Sequence, residues 1–289
     1  MKSRALLLLI YLSSFNSFNA LAQPTPANPL DVLAYQVQLE PFFAKNYIEG
    51  SVSIKFSTAP NTRKVIFDSG ALIVTKLEGA DAETFTQKGK KTIISLRPNE
   101  TNHYEIKLFY HGNPKKGLVF FDDAQKLYSV FFTNEWMICN ASPDDRATLK
   151  LDIIIPKGVI GIASGTLSDT TLVDDKIKYS WKQDYETPAY TYGFTVGSFN
   201  QSEEEQNGTL LKYYSENHSQ TELQQIFQYT GDMMKFFEEK SGITFPQSSY
   251  SQILIGHHYQ EMSGFAILKK SYGQLVLKDS TETNLISHE

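Results

Sequence analysis

The chain has 289 residues, of which 41% are apolar and 13% aromatic, enough hydrophobic sequence for one large or two ordinary domains. Intrinsic disorder would require low hydrophobicity with high charge, and the composition has neither. The net charge of −5, without a run of basic residues, argues against nucleic acid as a partner, and a single cysteine excludes an internal disulfide framework.

The N-terminus has the pattern of a secretory signal peptide. Two basic residues near the start precede an apolar run over 5–11, and Ala20-Leu21-Ala22 offers small residues where a signal peptidase cleaves. The run is shorter than the ~20 residues that span a bilayer, which disfavours a membrane anchor. We therefore expect residues 1–22 to be removed and 23–29 to be a linker. The mature protein would then be exported, periplasmic or secreted, without a transmembrane segment.

Residues 30–200 have the pattern of an antiparallel β domain. Tyr35, Val37 and Leu39 alternate with polar residues, which predicts a strand with one buried and one solvated face. Similar short segments bounded by turn residues follow at 48–56, 64–68, 72–77, 92–96, 104–111, 149–155, 176–181 and 190–199. Because no helical periodicity occurs before residue 219, we predict a saddle-shaped or β-sandwich N-terminal domain over 30–200.

The pattern changes after residue 200. The acidic and polar stretch 202–208 is a plausible domain boundary, and 210–214 predicts one more strand. Ser219 and Glu222 have the spacing of a capping box, which predicts the start of a helix that ends at Gly242.

Apolar residues recur along this predicted helix at helical spacing, and we interpret them as core packing rather than as a ligand pocket. They are Leu223, Ile226, Phe227, Met233, Met234 and Phe237. Beyond the helix, 251–256 predicts a short buried strand, 273–277 a possible second one, and 281–289 the start of another helix whose Leu285 and Ile286 face inward. The second region, 205–289, is therefore predicted to be α+β.

The last two residues of the chain are His288 and Glu289. This dipeptide opens the H-E-x-x-H zinc motif, in which two histidines one helical turn apart bind the metal and the glutamate activates water. Two residues alone carry little information, and a polar terminus is the simpler interpretation without further support.

That support comes from motifs spread along the chain. Tyr35-x-Val-x-Leu39 with the alternating 48–56 segment, Gly117–Phe121 and Tyr190–Phe199 resemble segments that occur in the same order in the aminopeptidase N-like zinc aminopeptidases, the gluzincin metallopeptidases. The block from Trp136 to Thr148 is similar to that family's W-F-P-C-x-D-x-P-x-x-K-A sequence, with Ala141 at the aspartate position. The chain resembles this family over nearly its whole length.

The resemblance implies a fold, a metal and roles for particular residues. Residues 205–289 would be the first part of a thermolysin-like catalytic domain that removes N-terminal residues from peptide substrates. His288 would be the first ligand of one zinc ion and Glu289 the general base. A second histidine and a glutamate ligand would follow further along the family's sequence, so the zinc site is incomplete in this chain. We expect the chain to be an inactive fragment of a longer enzyme.

The family binds the free amino group of the substrate with the glutamate of a G-x-M-E-N segment. Phe245-Pro246 with Tyr250 precedes the matching run, which contains Glu261, Met262, Ser263 and Gly264. Ser263 stands at the glutamate position, and Glu261 precedes the methionine. In an extended strand a shift of one residue reverses the direction of a side chain, so we expect Glu261 to serve only if a β-bulge re-aims it. A solvated carboxylate beside the groove is the alternative.

Two other features are interpreted as structural. Cys139 is most simply a small buried hydrophobic residue, since no activating base is identifiable. His257 and His258 are adjacent in sequence and point apart in a strand or helix, so we reject them as a zinc pair.

A different class of function is compatible with the same sequence: a non-catalytic β-sandwich binding or scaffold module that keeps the family fold. The serine at position 263 favours this module, whereas His288 and Glu289 favour the enzyme. The preferred N-terminal residue of a substrate and the oligomeric state stay open.

Overall fold

The structure is a computed structural model, and it describes residues 30–121 and 124–289. The predicted signal peptide and linker, residues 1–29, lie outside the described residues. Within the described chain no helix is long and apolar enough to cross a membrane.

The first part of the chain consists almost entirely of strands, interrupted by single turns of 3-10 helix at Phe43–Lys45, Thr133–Glu135 and Ala189–Thr191. The strands are β1 (Leu30–Phe42), β2 (Tyr47–Thr58), β3 (Lys64–Asp68), β4 (Ile73–Glu78), β5 (Ala82–Lys88), β6 (Lys91–Leu96), β7 (His103–Gly112), β8 (Leu118–Phe120), β9 (Leu127–Ser129), β10 (Arg146–Pro156), β11 (Ile160–Ala163), β12 (Thr166–Val173), β13 (Lys176–Pro188) and β14 (Phe194–Gly197). The predicted β domain is confirmed, although the run at 190–199 begins with a 3-10 turn and yields only the short strand β14.

These strands form three sheets around one core. The largest has seven strands in the order β12-β13-β10-β1-β2-β7-β4, and the smaller ones are β11-β14-β9-β8 and β3-β6-β5. In β1 the apolar residues Val37 and Leu39 are buried while Gln36 and Gln38 are exposed, as the alternation predicts. Phe56 of the large sheet meets Phe67 of the three-stranded sheet edge to face, with ring centroids 5.6 Å apart. The layered, mostly β architecture is a β-sandwich.

The second part begins with a hairpin and continues as a mixed sheet. Its strands are β15 (Asn200–Gln206), β16 (Thr209–Ser215), β17 (Ser249–Leu254), β18 (Gln260–Met262) and β19 (Phe265–Leu268), in the order β15-β16-β17-β19-β18. Strands β16, β17 and β19 are parallel, whereas β15 and β18 are antiparallel edges. The acidic residues predicted to mark a domain boundary therefore lie in the edge strand β15, where charge protects an open edge from pairing with other chains.

The helices differ from the sequence-based prediction. They are α1 (Gln220–Ile226), α2 (Thr230–Ser241), α3 (Tyr272–Lys278) and α4 (Asn284–His288). The single helix predicted over 219–241 is wrong, because the chain breaks after α1. Phe227 ends α1 and stacks on Tyr213 at 4.5 Å, and Thr230 starts α2 with its hydroxyl bonded to Gln252. The strand considered at 273–277 is also wrong, since these residues form α3.

The five-stranded sheet is covered on both faces, as parallel strands require. One face contributes Ile253, Phe265 and Ile267 to the core of the β-sandwich. The opposite face contributes Leu254 and Leu268 to a second core, together with residues of α1, α3 and α4. The residues of each strand thus alternate between the β-sandwich side and the helical side, which decides where site residues point.

Candidate functional site

Glu261 lies on β18, at the edge of the five-stranded sheet. Its neighbour Met262 packs against the core of the β-sandwich, so Glu261 points to the helical side. The strand pairs regularly with β19, with Glu261 opposite Ala266 and no shift in register. Strand β18 therefore contains no β-bulge. The expected bulge would compensate for a shift of one residue, whereas positions 261 and 263 are two residues apart, and an even shift within a strand keeps a side chain on the same face.

Ser263 and Gly264 form the turn between β18 and β19, away from the carboxylate of Glu261. The Ser263 hydroxyl accepts a hydrogen bond from the Gln247 amide at 2.9 Å, and its backbone N–H donates to the Thr191 carbonyl at 2.9 Å. Gly264 has φ +69°, and a Cβ there would lie 2.3 Å from Gln247 Oε1. These two residues fix the turn and do not meet the other predicted site residues.

Met262 connects β18 to the β-sandwich. The Ser129 hydroxyl lies 3.8 Å from the Met262 sulfur, and the same hydroxyl accepts the backbone N–H of Phe194. The sulfur occupies the space beside Gly193, where a Cβ would lie only 1.7 Å from it. Met262 therefore positions the strand that carries Glu261.

Helix α4 brings His288 and Glu289 to the same place. Ile286 is buried in the second core, as predicted, and anchors the short helix. Two side chains of β17 bind its backbone carbonyls: Tyr250 donates to the carbonyl of Glu289 at 3.0 Å, and Gln252 donates to that of Ile286 at 3.5 Å. The helix begins at Asn284, three residues later than the predicted start at 281.

Glu261, His288 and Glu289 come together in space. One ligand atom from each lies within 4.8 Å of the other two. Glu261 and His288 are exposed and Glu289 is half-buried. The structure thus joins three residues that were singled out in two separate segments of the sequence, while Met262, Ser263 and Gly264 support the strand beside them.

The two carboxylates affect each other. Burial and, to a lesser extent, the negative charge of Glu261 together raise the pKa of Glu289 to about 7, against the lowering effect of His288. Within the described chain, Glu289 Oε2 is buried without a hydrogen-bond partner. A carboxyl group whose pKa lies near neutrality can exchange a proton under physiological conditions.

His288 has the donor chemistry of a zinc ligand. Zinc takes imidazole nitrogen and carboxylate oxygen ligands at about 2.0–2.2 Å, so the donors around one ion are separated by only a few ångströms. Glu261 and Glu289 lie within that range of His288. A catalytic zinc site normally has three protein ligands, and a general base must stay free of the metal.

The apolar stripe predicted along the helix at 219–241 packs as core only in part. Leu223, Ile226 and Phe227 are buried, but Phe237 is half-exposed. With Met233 and Met234 it borders a cleft of about 590 Å³ that also reaches His288 and Glu289. The interpretation as core packing is wrong for Phe237, whereas Met233 and Met234 are partly buried and pack against the second core.

The two features interpreted as structural have clear environments. Cys139 is fully buried and unpaired, and burial raises the pKa of its thiol, which confirms a packing role. His257 and His258 are not part of the His288 cluster. The ring Nδ1 of His258 lies 2.6 Å from the Tyr128 hydroxyl instead.

Sequence reasoning missed the residues that hold α4 in place. Tyr250 was noted only as part of a motif, and Gln252 was not singled out. Both belong to β17 and face the helical side, where Gln252 is fully buried. The sequence signal that could have found Gln252 is a glutamine within a strand predicted to be buried, because a buried amide needs a hydrogen-bond partner.

The fold is shared with solved zinc metallopeptidases. The structure superposes on an M1 zinc metallopeptidase from Deinococcus radiodurans with a TM-score of 0.69 and 19% identity, over 83% of this chain and 60% of that one. A mutant of that enzyme gives a TM-score of 0.71 with 18% identity over 84% and 61% of the two chains, and a two-domain M1 zinc metallopeptidase mutant bound to L-arginine gives the same values. The chain therefore has the fold of these peptidases and spans about three fifths of their length.

Sequence comparison also finds a similar protein. The chain is 24% identical over 166 residues to transcription initiation factor TFIID subunit 2 of Caenorhabditis elegans, a match that covers 54% of this chain and 15% of that protein. No family model matches the sequence.

Proposed function

We propose that this protein is a zinc metallopeptidase, specifically an aminopeptidase that removes N-terminal residues from peptides. The observation that supports this most strongly is the convergence of Glu261, His288 and Glu289 in a fold shared with M1 zinc metallopeptidases. At 18–19% identity the shared fold alone does not assign an activity, so the proposal depends on this cluster.

In this proposal His288 is one ligand of a zinc ion, and the proposal requires further ligands from outside the residues of this chain. Zinc supplies a Lewis acid that polarises the scissile carbonyl and acidifies water. With only one histidine of the proposed ligand set, the chain by itself is expected to bind zinc weakly and to be inactive.

Glu289 acts as the general base. Its pKa of about 7 lets it take a proton from the attacking water near neutral pH and return it to the leaving amine. Burial disfavours its charged form and thereby increases its basicity over that of an exposed glutamate.

Glu261 binds the free ammonium group of the substrate. Its position at a sheet edge leaves the carboxylate exposed beside the cluster. A charge-assisted hydrogen bond from the ammonium would fix the substrate's N-terminus at a set distance from the reacting carbonyl, which produces an exopeptidase.

The proposal is tested by assaying the protein encoded by the complete reading frame on aminoacyl anilides, with and without a chelator. We expect activity that is lost with zinc and restored when zinc is added back. Glu289→Gln should reduce kcat by about 100-fold or more, because it removes the base. Glu261→Gln should mainly raise KM and should allow N-acetylated substrates to compete.

Ser263→Ala is the matched control, since Ser263 contacts Gln247 and not the cluster. Its activity should be close to that of the unchanged protein. Hydrolysis that persists after complete removal of zinc would contradict the proposal.

We also propose export through the N-terminal signal peptide. The support is the sequence pattern of residues 1–22, and the prediction is a mature N-terminus at Gln23. N-terminal sequencing of the protein from its natural source tests it. A mature protein that begins at Met1 would contradict export.

A non-catalytic binding or scaffold module is the second candidate. It is favoured by the similarity to a subunit of a transcription initiation factor and by serine at the amine-anchor position. If the complete protein binds no zinc and hydrolyses no peptide, this function replaces the first.

A further inference from the structure

A group of basic side chains lies beside β18, at the end where Tyr259 leads into the strand. His257 and His258 precede β18, and Lys269 and Lys270 follow β19, its hydrogen-bonded neighbour. Because β18 and β19 are antiparallel, the start of one strand lies beside the end of the other. We call these four residues the basic edge cluster.

The cluster adjoins the acidic site. The Lys269 ammonium lies 4.7 Å from the centre of the Tyr259 ring, and Tyr259 packs on the helical side of the sheet, the side of Glu261. Burial raises the pKa of Tyr259, and the negative charges of Glu289 and Glu282 raise it further. The Tyr259 ring therefore lies beside the Lys269 ammonium, on the side of the sheet that carries Glu261.

The lysines are available to bind an anion. Among the described residues, neither Lys269 nor Lys270 has a carboxylate within ion-pair distance, and both side chains reach solvent. In this chain of net negative charge, two adjacent lysines with no ion-pair partner among the described residues form a local region of positive charge beside an acidic site.

His258 contributes a hydrogen-bond donor. The Tyr128 hydroxyl accepts the backbone N–H of His257 at 3.3 Å and can therefore donate its own proton to His258 Nδ1 at 2.6 Å. In the neutral imidazole the proton then resides on Nε2, which is left to donate to a ligand. His258 is exposed, so that donor can reach solvent.

We propose that the basic edge cluster binds the C-terminal carboxylate of a short peptide whose N-terminal ammonium pairs with Glu261. The inference rests on the proposed function and names its substrate class as peptides of about three residues with a free carboxyl end. Tyr259 lies two residues from Glu261, about 7 Å along the strand. An extended tripeptide is about 10 Å long, so it reaches from Glu261 past Tyr259 to the lysines.

The test compares one tripeptide in two forms, the free acid and the C-terminal amide, on the complete zinc-loaded protein. Amidation removes the carboxylate charge and leaves the ammonium and the scissile bond unchanged. We expect kcat/KM to be about fivefold higher for the free acid than for the amide, which is the size of effect that an exposed ion pair produces. This ratio of acid to amide should fall as ionic strength rises.

The double variant Lys269→Gln/Lys270→Gln should reduce this ratio to about one while hydrolysing the amide as the unchanged protein does. Lys269→Glu reverses the charge and should make kcat/KM higher for the amide than for the free acid. The matched control is Lys278→Gln, an exposed lysine at the end of α3, which should leave the ratio unchanged. A double variant that keeps the ratio, or loses activity equally on both forms, overturns the inference.

Equilibrium binding separates this inference from the proposed function. Calorimetric titration of both tripeptide forms into the complete protein in the presence of chelator needs no hydrolysis. Tighter binding of the free acid that the double variant abolishes supports the cluster even if the protein proves not to be a peptidase. Equal affinities for acid and amide overturn it, whereas activity that is independent of zinc would contradict only the proposed function.

Discussion

Asp145 is a carboxyl group that the fold buries at the edge of the β-sandwich core. Its Oδ1 accepts the backbone N–H of Val32 at 2.8 Å, while Oδ2 has no partner in the described chain. Burial and, to a lesser extent, the charge of Asp31 raise its pKa from 3.8 to about 6, so the folded state favours the protonated form more than the unfolded state does. Its contribution to the free energy of unfolding is therefore greatest below pH 4 and is lost as pH rises through 6.

We predict that Asp145→Asn stabilises the protein above pH 6 by about 1–2 kcal/mol, because the neutral amide keeps the acceptor for Val32 and removes the buried charge. The advantage should disappear below pH 4, where the aspartate is protonated. Urea unfolding at pH 4, 6 and 8 measures this. Asp144→Asn is the exposed control, and an advantage of Asp145→Asn that grows toward low pH would disprove the assignment.

Gly193 and Met262 form a second contact at the residue scale, and it couples the β-sandwich to the strand of the candidate site. A Cβ at position 193 would lie 1.7 Å from the Met262 sulfur and 2.9 Å from the Ser129 hydroxyl. Methionine is flexible, so part of the clash can be relieved by rotation, but the strand must then shift or lose packing.

Gly193→Ala is expected to lower the free energy of unfolding by about 1–3 kcal/mol. The double variant Gly193→Ala/Met262→Ala should lose less free energy of unfolding than the two single variants lose together, because the shortened side chain at position 262 removes the clash. A thermodynamic cycle from denaturant unfolding measures the coupling. Strict additivity would show that the two residues do not compete for the same space.

At the scale of elements, the capping box of α1 is confirmed. Ser219 N–H donates to the Glu222 carboxylate at 2.8 Å, and Glu222 N–H donates to the Ser219 hydroxyl at 3.3 Å. Local sequence predicts this feature because both partners lie within four residues. The end of α1, by contrast, depends on Phe227 stacking on Tyr213 from another strand.

Ser219→Ala should therefore destabilise the protein by about 1 kcal/mol through the loss of the N-terminal cap. The exposed Gln224→Ala on the same helix is the control and should be neutral or slightly stabilising, since alanine favours helices. Thermal and denaturant unfolding give both values. A neutral Ser219→Ala would mean that packing of Leu223 and Ile226 alone fixes the helix.

At the scale of the whole molecule, the division into domains at 200–205 stays a prediction. β15 begins at Asn200 and starts a separate sheet, which favours a division there. Yet Ile253, Phe265 and Ile267 of that sheet belong to the core of the β-sandwich, and cores shared in this way resist separation.

Limited proteolysis of the chain tests this division. We expect the first cuts at 236–248, where α2 ends in Gly242 and where Phe236, Phe237 and Ile243 are exposed. A stable product that ends near Gln206 would support two independent domains. If strands β16 to β19 stay associated with the β-sandwich after the first cuts, the shared core makes the two parts one folding unit.

The sequence by itself determined the features that depend on neighbours along the chain. The alternation of Val37 and Leu39 with glutamines predicted the β-sandwich, because a strand between core and solvent must have period two. The capping box predicted the start of α1, and His288-Glu289 indicated a metal-site motif. Each of these signals resides within a few consecutive residues.

Only the tertiary structure decided what depends on contacts between distant segments. It split the predicted helix at Phe227, made a helix of 273–277, and brought Glu261 beside His288 and Glu289 without a bulge. A short apolar run fits strand and helix alike, and the face on which a strand residue lies becomes meaningful only when the layers on both sides are known. Glu261, His288 and Glu289 meet because α4 packs on the helical side of the five-stranded sheet, and that arrangement depends on packing among segments far apart in the chain.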